Sequence, residues 1–65
     1  MENKVKEKRL ELKLTQEELA KEAGISRNVI IQIENGHDLN LTKSTMQSIA
    51  KALNSTVTQI FFFWP

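Results

Sequence analysis

Arg27, Asn28 and Gln32 are polar side chains whose spacing places them on one face of a short helix. Arginine hydrogen-bonds the edge of guanine in the DNA major groove, and asparagine and glutamine hydrogen-bond the edge of adenine. The pattern therefore predicts a helix over 27–34 whose outer face contacts base edges of double-stranded DNA. The alternative interpretation is a solvated polar face that binds nothing.

Two short helices that meet at Gly24 must position this face. The sequence TQEE at 15–18 has the pattern of a capping box, which predicts a helix over 16–23. Gly24 can adopt the left-handed backbone that ends such a helix, and Ser26 can cap the helix that carries the polar face. Two helices joined by a tight turn that contains glycine are typical of a helix-turn-helix, here over 16–35.

Three further helices complete the predicted fold, an all-α bundle of five helices with a short C-terminal extended aromatic segment. The first spans roughly 2–13. A fourth is capped by Thr42 or Ser44 and runs to about Leu53, and a second capping box, TVTQ at 56–59, opens a fifth. Val5, Arg9 and Leu12 recur at helical spacing in the first helix. Apolar residues predicted to face inward form the core: Leu19, Ala20, Ala23, Ile25, Ile30, Ile33, Met46, Ile49, Ala50 and Leu53.

The residue inventory argues against several classes of function. The chain has no cysteine and one histidine, His37, so we expect no metal, no cofactor and no small-molecule ligand. Both of its glycines are expected at helix ends, and no set of side chains indicates a catalytic site or an enzyme. No apolar run approaches the ~20 residues that span a bilayer, and no signal peptide is evident. We therefore expect a cytoplasmic protein with no membrane partner.

Size and charge set two requirements for a DNA-binding protein. A chain of 65 residues is expected to form one domain, 1–65, and a domain of about this size buries only about 60% of its unfolded surface. Oligomerisation is one way in which so small a domain gains stability. The formal net charge is only +1, so positive charge must be concentrated on one face to hold phosphates, and a modest salt dependence is predicted.

Motifs spread over the chain carry a family resemblance. They are TQEELA at 15–20, GISR at 24–27, IENG at 33–36 and IAKAL at 49–53. Over roughly 5–61 the chain resembles the Cro and phage-repressor, or XRE-type, helix-turn-helix family. The resemblance implies a repressor-like bundle, DNA binding, and a bacterial or phage-encoded regulator.

The resemblance also implies roles for individual positions. Gln16 would contact a DNA phosphate together with the N-terminal N–H groups of its helix, and the helix of 27–34 would enter the major groove. Arg9 would pair with Glu34 and tie the first helix to the end of the third. The residues expected at the DNA are Gln16, Ser26, Arg27, Asn28, Ile31, Gln32, Asn35 and Lys43.

Two departures from the family pattern bear on these roles. Ile31 stands where a polar residue is usual, so it either touches a thymine methyl or is an exposed apolar residue with no role. The loop after the third helix holds His37, Asp38 and Asn40, where relatives often carry basic residues. Asp38 would repel a phosphate, and Lys43 is the nearest compensation.

All the aromatic residues of the chain lie in one run near its end. Phe61 is expected to close the core, but Phe62, Phe63 and Trp64 are too many for so small a core. An exposed aromatic patch typically marks an interaction surface, and aromatic side chains favour extended, paired backbone. We therefore predict a homodimer interface over 61–65, with a short intersubunit strand as one form of it. A frayed tail is the alternative.

Two functions follow from these features. The first is a sequence-specific transcription regulator, as a repressor, that acts as a homodimer on a palindromic operator with recognition helices ~34 Å apart. The alternative is a helix-turn-helix protein-interaction module, such as an antitoxin or an anti-repressor target, whose aromatic tail binds another regulatory protein. The two differ in whether DNA binding and partner binding compete.

Overall fold

The computed structural model describes residues 2–37 and 40–61, and helices account for most of them. Among these residues the extended pairing is confined to one isolated bridge, and the longest helix has 10 residues. Within 2–37 and 40–61, none of the helices is long and apolar enough to cross a membrane. The all-α prediction is confirmed by the five helices that the described residues form: α1 (Val5–Glu11), α2 (Gln16–Ala23), α3 (Arg27–Glu34), α4 (Lys43–Ala52) and α5 (Val57–Ile60).

Local side-chain caps define α2 and α3 at the predicted bounds. The hydroxyl oxygen of Thr15 accepts from the N–H of Glu18 at 3.0 Å, and the Glu18 carboxylate accepts from the N–H of Thr15 at 2.8 Å. This is the predicted capping box. Gly24 ends α2 with φ 72°, and the hydroxyl of Ser26 accepts from the N–H of Val29 at the start of α3.

The caps of α4 and α5 differ in part from the predicted ones. Thr42, and not Ser44, caps α4 through its hydroxyl oxygen. The hydroxyl of Thr56 accepts from the N–H of Gln59 at 3.3 Å, as predicted. The Gln59 side chain, however, accepts a hydrogen bond from the Ser55 hydroxyl at 2.8 Å. The second capping box is therefore only half formed.

Helix α1 is shorter than predicted, by three residues at its start and two at its end. Its start is displaced because Asn3 forms an antiparallel bridge with Phe61, and the N–H of Lys4 donates to the carbonyl of Ile60 at 2.9 Å. Its end is displaced because Lys13 adopts a positive φ of 58°, which is incompatible with a right-handed helix.

The core lies between α2, α3 and α4, and α1 and α5 cover its ends. Phe61 is fully buried and closes the core, as predicted. Leu12, which shares a helical spacing with Val5 and Arg9, is 38% exposed because α1 ends before it. Ile25 is half-buried and packs against the core. Val5 and the remaining predicted core residues are all buried: Leu19, Ala20, Ala23, Ile30, Ile33, Met46, Ile49, Ala50 and Leu53.

Candidate nucleic-acid interface

The outer face of α3 brings together the predicted base-reading residues. Arg27 and Asn28 are exposed, and Ile31 and Gln32 are half-buried. Arg27 and Ile31 are four residues apart, as are Asn28 and Gln32, so the two pairs lie side by side along the helix. The opposite face is anchored by buried isoleucines. This face therefore presents hydrogen-bonding groups and one apolar side chain on a fixed helix.

Ser26 lies exposed at the start of this face. Its hydroxyl oxygen already accepts from the N–H of Val29, at 3.3 Å. A hydroxyl also carries one O–H donor, which can still be offered to a phosphate or a base. The cap role and a DNA contact are therefore compatible at this residue.

Gln16 and Arg27, two of the predicted DNA-contacting residues, line the same open cleft of about 380 Å³. Thr15 and Arg9 also line this cleft. The N-terminus of α2 carries partial positive charge and N–H donors, which favour an anion. Glu17 lines the cleft as well, and its carboxylate opposes an anion there. The cleft thus combines phosphate-binding groups with one group that weakens such binding.

Arg9, which lines this cleft, forms a bidentate ion pair with Glu34. The Nε of Arg9 donates to Oε2 of Glu34 at 2.7 Å, and its Nη2 donates to Oε1 at 3.1 Å. Their side chains are only 10% and 3% exposed. The Nη1 of Arg9 donates to the carbonyl of Leu14 at 2.8 Å. The guanidinium therefore joins α1, the loop before α2 and the end of α3.

Gln16 is held by the same carboxylate. Its Nε2 donates to Oε1 of Glu34 at 3.1 Å, across 18 residues of sequence. A side-chain amide has two N–H donors and one acceptor oxygen, so this bond orients the group and leaves a second N–H for a phosphate. The family resemblance implied that Arg9 pairs with Glu34, but the bond from Gln16 was not predicted.

Asn35 and Lys43 lie on either side of the loop that follows α3. Asn35 is exposed at the C-terminal cap of α3, and Lys43 is the exposed first residue of α4. His37 is exposed within the loop. The predicted repulsion between a phosphate and Asp38 concerns a residue outside the described part of the chain.

Asn3 contacts the end of α3 and was not predicted. Its Nδ2 donates to the carbonyl of Ile33 at 2.9 Å, and its Oδ1 accepts from the N–H of Val5 at 3.0 Å. The second bond had a local signal, because an asparagine side chain often accepts from the backbone N–H two residues further along the chain. The first bond spans 30 residues and had none.

The aromatic run is described only at its first residue. Phe61 is buried and has an extended backbone, with φ −114° and ψ 94°. Phe62, Phe63 and Trp64 lie outside the described residues, so their predicted role in a dimer interface stays a prediction.

Two comparisons with known proteins agree on the type of domain. A family model described as helix-turn-helix matches residues 5–60, nearly the whole chain. An "Uncharacterized HTH-type transcriptional regulator" from Archaeoglobus fulgidus is 36% identical over 63 residues, covering 97% of this chain and 87% of that protein. The match to the family model, over 5–60, begins and ends close to the span of roughly 5–61 over which the motifs carry the resemblance.

Proposed function

Because the chain belongs to the XRE-type helix-turn-helix family of DNA-binding regulators, we propose that it binds a specific sequence of double-stranded DNA through the outer face of α3. The observation that carries this proposal is the placement of Arg27, Asn28 and Gln32 on one accessible face of a helix anchored from behind. These are the side-chain types that make paired hydrogen bonds to guanine and adenine in the major groove.

The neighbouring groups suit the sugar-phosphate backbone. Gln16 and the first turn of α2 would hold one phosphate, with Ser26 close by at the start of α3. Asn35 and Lys43 would approach the backbone on the far side of the recognition helix. Phosphate contacts of this kind position a protein on DNA, and contacts to base edges give it specificity. Ile31, half-buried among the polar residues, would contact a thymine methyl.

The regulator would act as a homodimer and repress by occupying its operator. One copy presents only a few base-reading side chains, so two copies on a palindromic site, ~34 Å apart, would supply the specificity that one lacks. Phe62, Phe63 and Trp64 are the side chains proposed to join the copies. The protein would work in the cytoplasm, where it would meet bacterial or phage-type operators and block or reposition polymerase.

The first experiment is a binding measurement on duplexes selected from a random library with the whole protein. Arg27→Ala and Gln32→Ala should each weaken binding by about 1–3 kcal/mol, or roughly 5- to 150-fold, and relax preference at one base pair. Lys6→Ala is the matched control, since it removes one exposed positive charge from α1. Fluorescence anisotropy measures the affinities. If all three variants bind like the original protein, α3 does not read the DNA.

The second experiment uses the carboxylate that lines the cleft with Gln16 and Arg27. Glu17→Gln should tighten DNA binding by a few-fold, because it removes a negative charge beside the expected phosphate. The gain should shrink as salt rises, since screening weakens interactions between exposed charges. Glu7→Gln, an exposed change on α1, is the matched control. Equal gains for both variants would indicate a general charge effect and no phosphate in the cleft.

The third experiment tests the homodimer. The 7.5 kDa chain should sediment as a dimer at micromolar concentration, and a chain truncated after Phe61 should sediment as a folded monomer. Phe61 is retained because it closes the core. Circular dichroism confirms that the truncated chain is helical. A truncated protein that still sediments as a dimer would rule out the aromatic segment as the interface.

A further inference from the structure

Asn35 and Gly36 form a pair at the end of α3 whose chemistry goes beyond contact with DNA. Asn35 is exposed at the C-terminal cap of α3, and Gly36 follows it with a φ of 79°. The side-chain amide carbon of an asparagine, Cγ, is electrophilic, and the backbone nitrogen of the next residue can attack it. Glycine has no side chain to obstruct that nitrogen. The pair therefore has the composition of a site that loses ammonia spontaneously.

The reaction needs no reagent besides water. The backbone nitrogen of Gly36 loses its proton to the solvent and bonds to Cγ of Asn35, and the bond between Cγ and the side-chain nitrogen breaks, so that ammonia leaves. The product is a succinimide ring. Water then adds to one of the two ring carbonyl carbons and opens the ring to aspartate or isoaspartate. One neutral amide and one water thus become a carboxylate and an ammonium ion, and the protein gains a negative charge.

The turn after α3 keeps the two reacting atoms apart. The N–H of Gly36 donates to the carbonyl of Ile33 at 3.0 Å, so its nitrogen is engaged in a hydrogen bond. The ψ of Asn35 is 2°, which directs the Gly36 nitrogen away from the Cβ of Asn35. This angle must rotate well away from 2° before the ring can close. The folded protein therefore reacts only when the turn opens.

The opening of this turn leaves the rest of the helix end in place. The carbonyl of Ile33 also accepts from Nδ2 of Asn3 at 2.9 Å, so it keeps a partner when the bond from Gly36 breaks. Opening is costly mainly when it leaves a buried group with no partner. Rotation at Asn35 moves the chain that follows it, and the buried carboxylate of Glu34 stays with Arg9. The turn should therefore open far more often than the whole domain unfolds.

We propose that Asn35 is a site of spontaneous deamidation, held back by the turn at Gly36, and that the carboxylate it produces weakens DNA binding. This inference rests on the proposed function, in which Asn35 approaches the sugar-phosphate backbone. A negative charge at that position repels a phosphate. Each copy of the protein thus loses affinity for DNA with age, without an enzyme to modify it.

The first measurement compares Asn35 with Asn54 in the same protein. Asn54 is also exposed just after a helix, and the N–H of the next residue, Ser55, donates to the carbonyl of Ala50 at 2.9 Å. Mass spectrometry of proteolytic peptides measures the modified fraction at each asparagine over time. In the folded protein Asn35 should react at least about fivefold faster than Asn54, and urea should accelerate Asn35 at least about tenfold, because opening of the turn then no longer limits the rate.

The second measurement is the affinity for a duplex selected with the original protein. Asn35→Asp reproduces the product, and Asn54→Asp adds the same charge at an exposed position outside the proposed interface. At low salt Asn35→Asp should bind about fivefold or more weakly, because a carboxylate there repels a phosphate. The loss should shrink as salt rises, and Asn54→Asp should stay within about twofold of the original protein, because distant exposed charges are screened. Thermal melts establish a temperature at which both variants are folded.

The third measurement follows affinity during ageing, and it does not depend on the stability of Asn35→Asp. Asn35→Gln keeps a side-chain amide, but its longer side chain would have to close a larger ring, and that reaction is slower. Samples of both proteins are held at the same temperature and tested on the selected duplex. The original protein should lose affinity in step with the fraction modified at Asn35, whereas Asn35→Gln should keep its starting affinity.

Three results would overturn the inference, and they differ in what they leave standing. If Asn54 is modified as fast as Asn35 in the folded protein, the inference fails and the proposed DNA binding stands. If Asn35→Asp binds like the original protein, or is weakened equally at every salt concentration, the new charge does not act on a phosphate, and DNA binding through α3 again stands. If the original protein selects no duplex, the proposed function and the inference fail together.

Discussion

The two ends of α3, the proposed recognition helix, are held in different ways. The start of α3 is held by its neighbours in sequence, with a turn at Gly24 and a cap from Ser26. The end is held from a distance. Arg9 reaches Glu34 across 25 residues, and Asn3 reaches Ile33 across 30. Local bonds thus determine where α3 begins, and long-range bonds determine how it is oriented in the fold.

The two ends also differ in burial and charge. The hydroxyl of Ser26 caps an exposed helix end, whereas the carboxylate of Glu34 is 3% exposed and accepts bonds from Arg9 and Gln16. Water can replace a lost partner at an exposed site, but a buried charge left alone keeps its full desolvation penalty. A substitution that removes a bonding group at the end of α3 should therefore lower the free energy of unfolding far more than one at its start.

The largest effect should come from Glu34→Ala. This change leaves the buried guanidinium of Arg9 without its countercharge, and we expect a loss of about 3–5 kcal/mol in the free energy of unfolding. That is a large part of the stability of so small a domain. Urea unfolding followed by circular dichroism measures the loss. A loss below about 1 kcal/mol would show that water compensates Arg9 and that the end of α3 is no more sensitive than its start.

A double variant separates the charge effect from the effect on DNA. Arg9→Met with Glu34→Leu removes both charges and keeps apolar volume, which is often neutral or stabilising for buried pairs. Stability should therefore recover relative to Glu34→Ala. DNA affinity should be lower than that of the original protein, because Gln16 has lost the acceptor that orients it. Full recovery of both properties would mean that Gln16 does not depend on Glu34 for its function.

A smaller effect is expected at the turn. Gly24 has φ 72°, and a Cβ added there would have no atom within 4 Å. Gly24→Ala therefore tests the backbone alone, and it should destabilise by about 1–2 kcal/mol, the cost of a left-handed backbone with a Cβ. Gly24→Asn should cost less, because asparagine tolerates that conformation. The same unfolding assay measures both. Equal losses for the two variants would point to a cause other than backbone conformation.

The contrast between the two ends also explains what the sequence could predict. The capping box at Thr15, the turn at Gly24 and the cap at Ser26 use bonds within a few residues, so local pattern located α2 and α3 at their observed bounds. The start of α1 was misplaced because the backbone of Asn3 pairs with Phe61, 58 residues away. No local pattern reports such pairing, because tertiary contacts override local preference.

The same limit applies within the candidate interface. The outward positions of α3 follow from helical periodicity, so Arg27 and Asn28 were found on an exposed face. The pair of Arg9 and Glu34 came from the family resemblance and not from spacing. The bond between Gln16 and Glu34 depends on how α2 is set against α3, and two helices of known bounds do not reveal their relative placement.

The smallest effect is expected at the start of α3. Ser26→Ala removes a cap to the N–H of Val29 and should cost about 1 kcal/mol. Ser44→Ala is the matched control, since Ser44 is an exposed serine next to a helix start but not its cap, and it should change stability by less than about 0.5 kcal/mol. If Ser26→Ala costs as much as Glu34→Ala, the two ends of α3 are held equally, and local capping would orient the recognition helix as strongly as the buried network does.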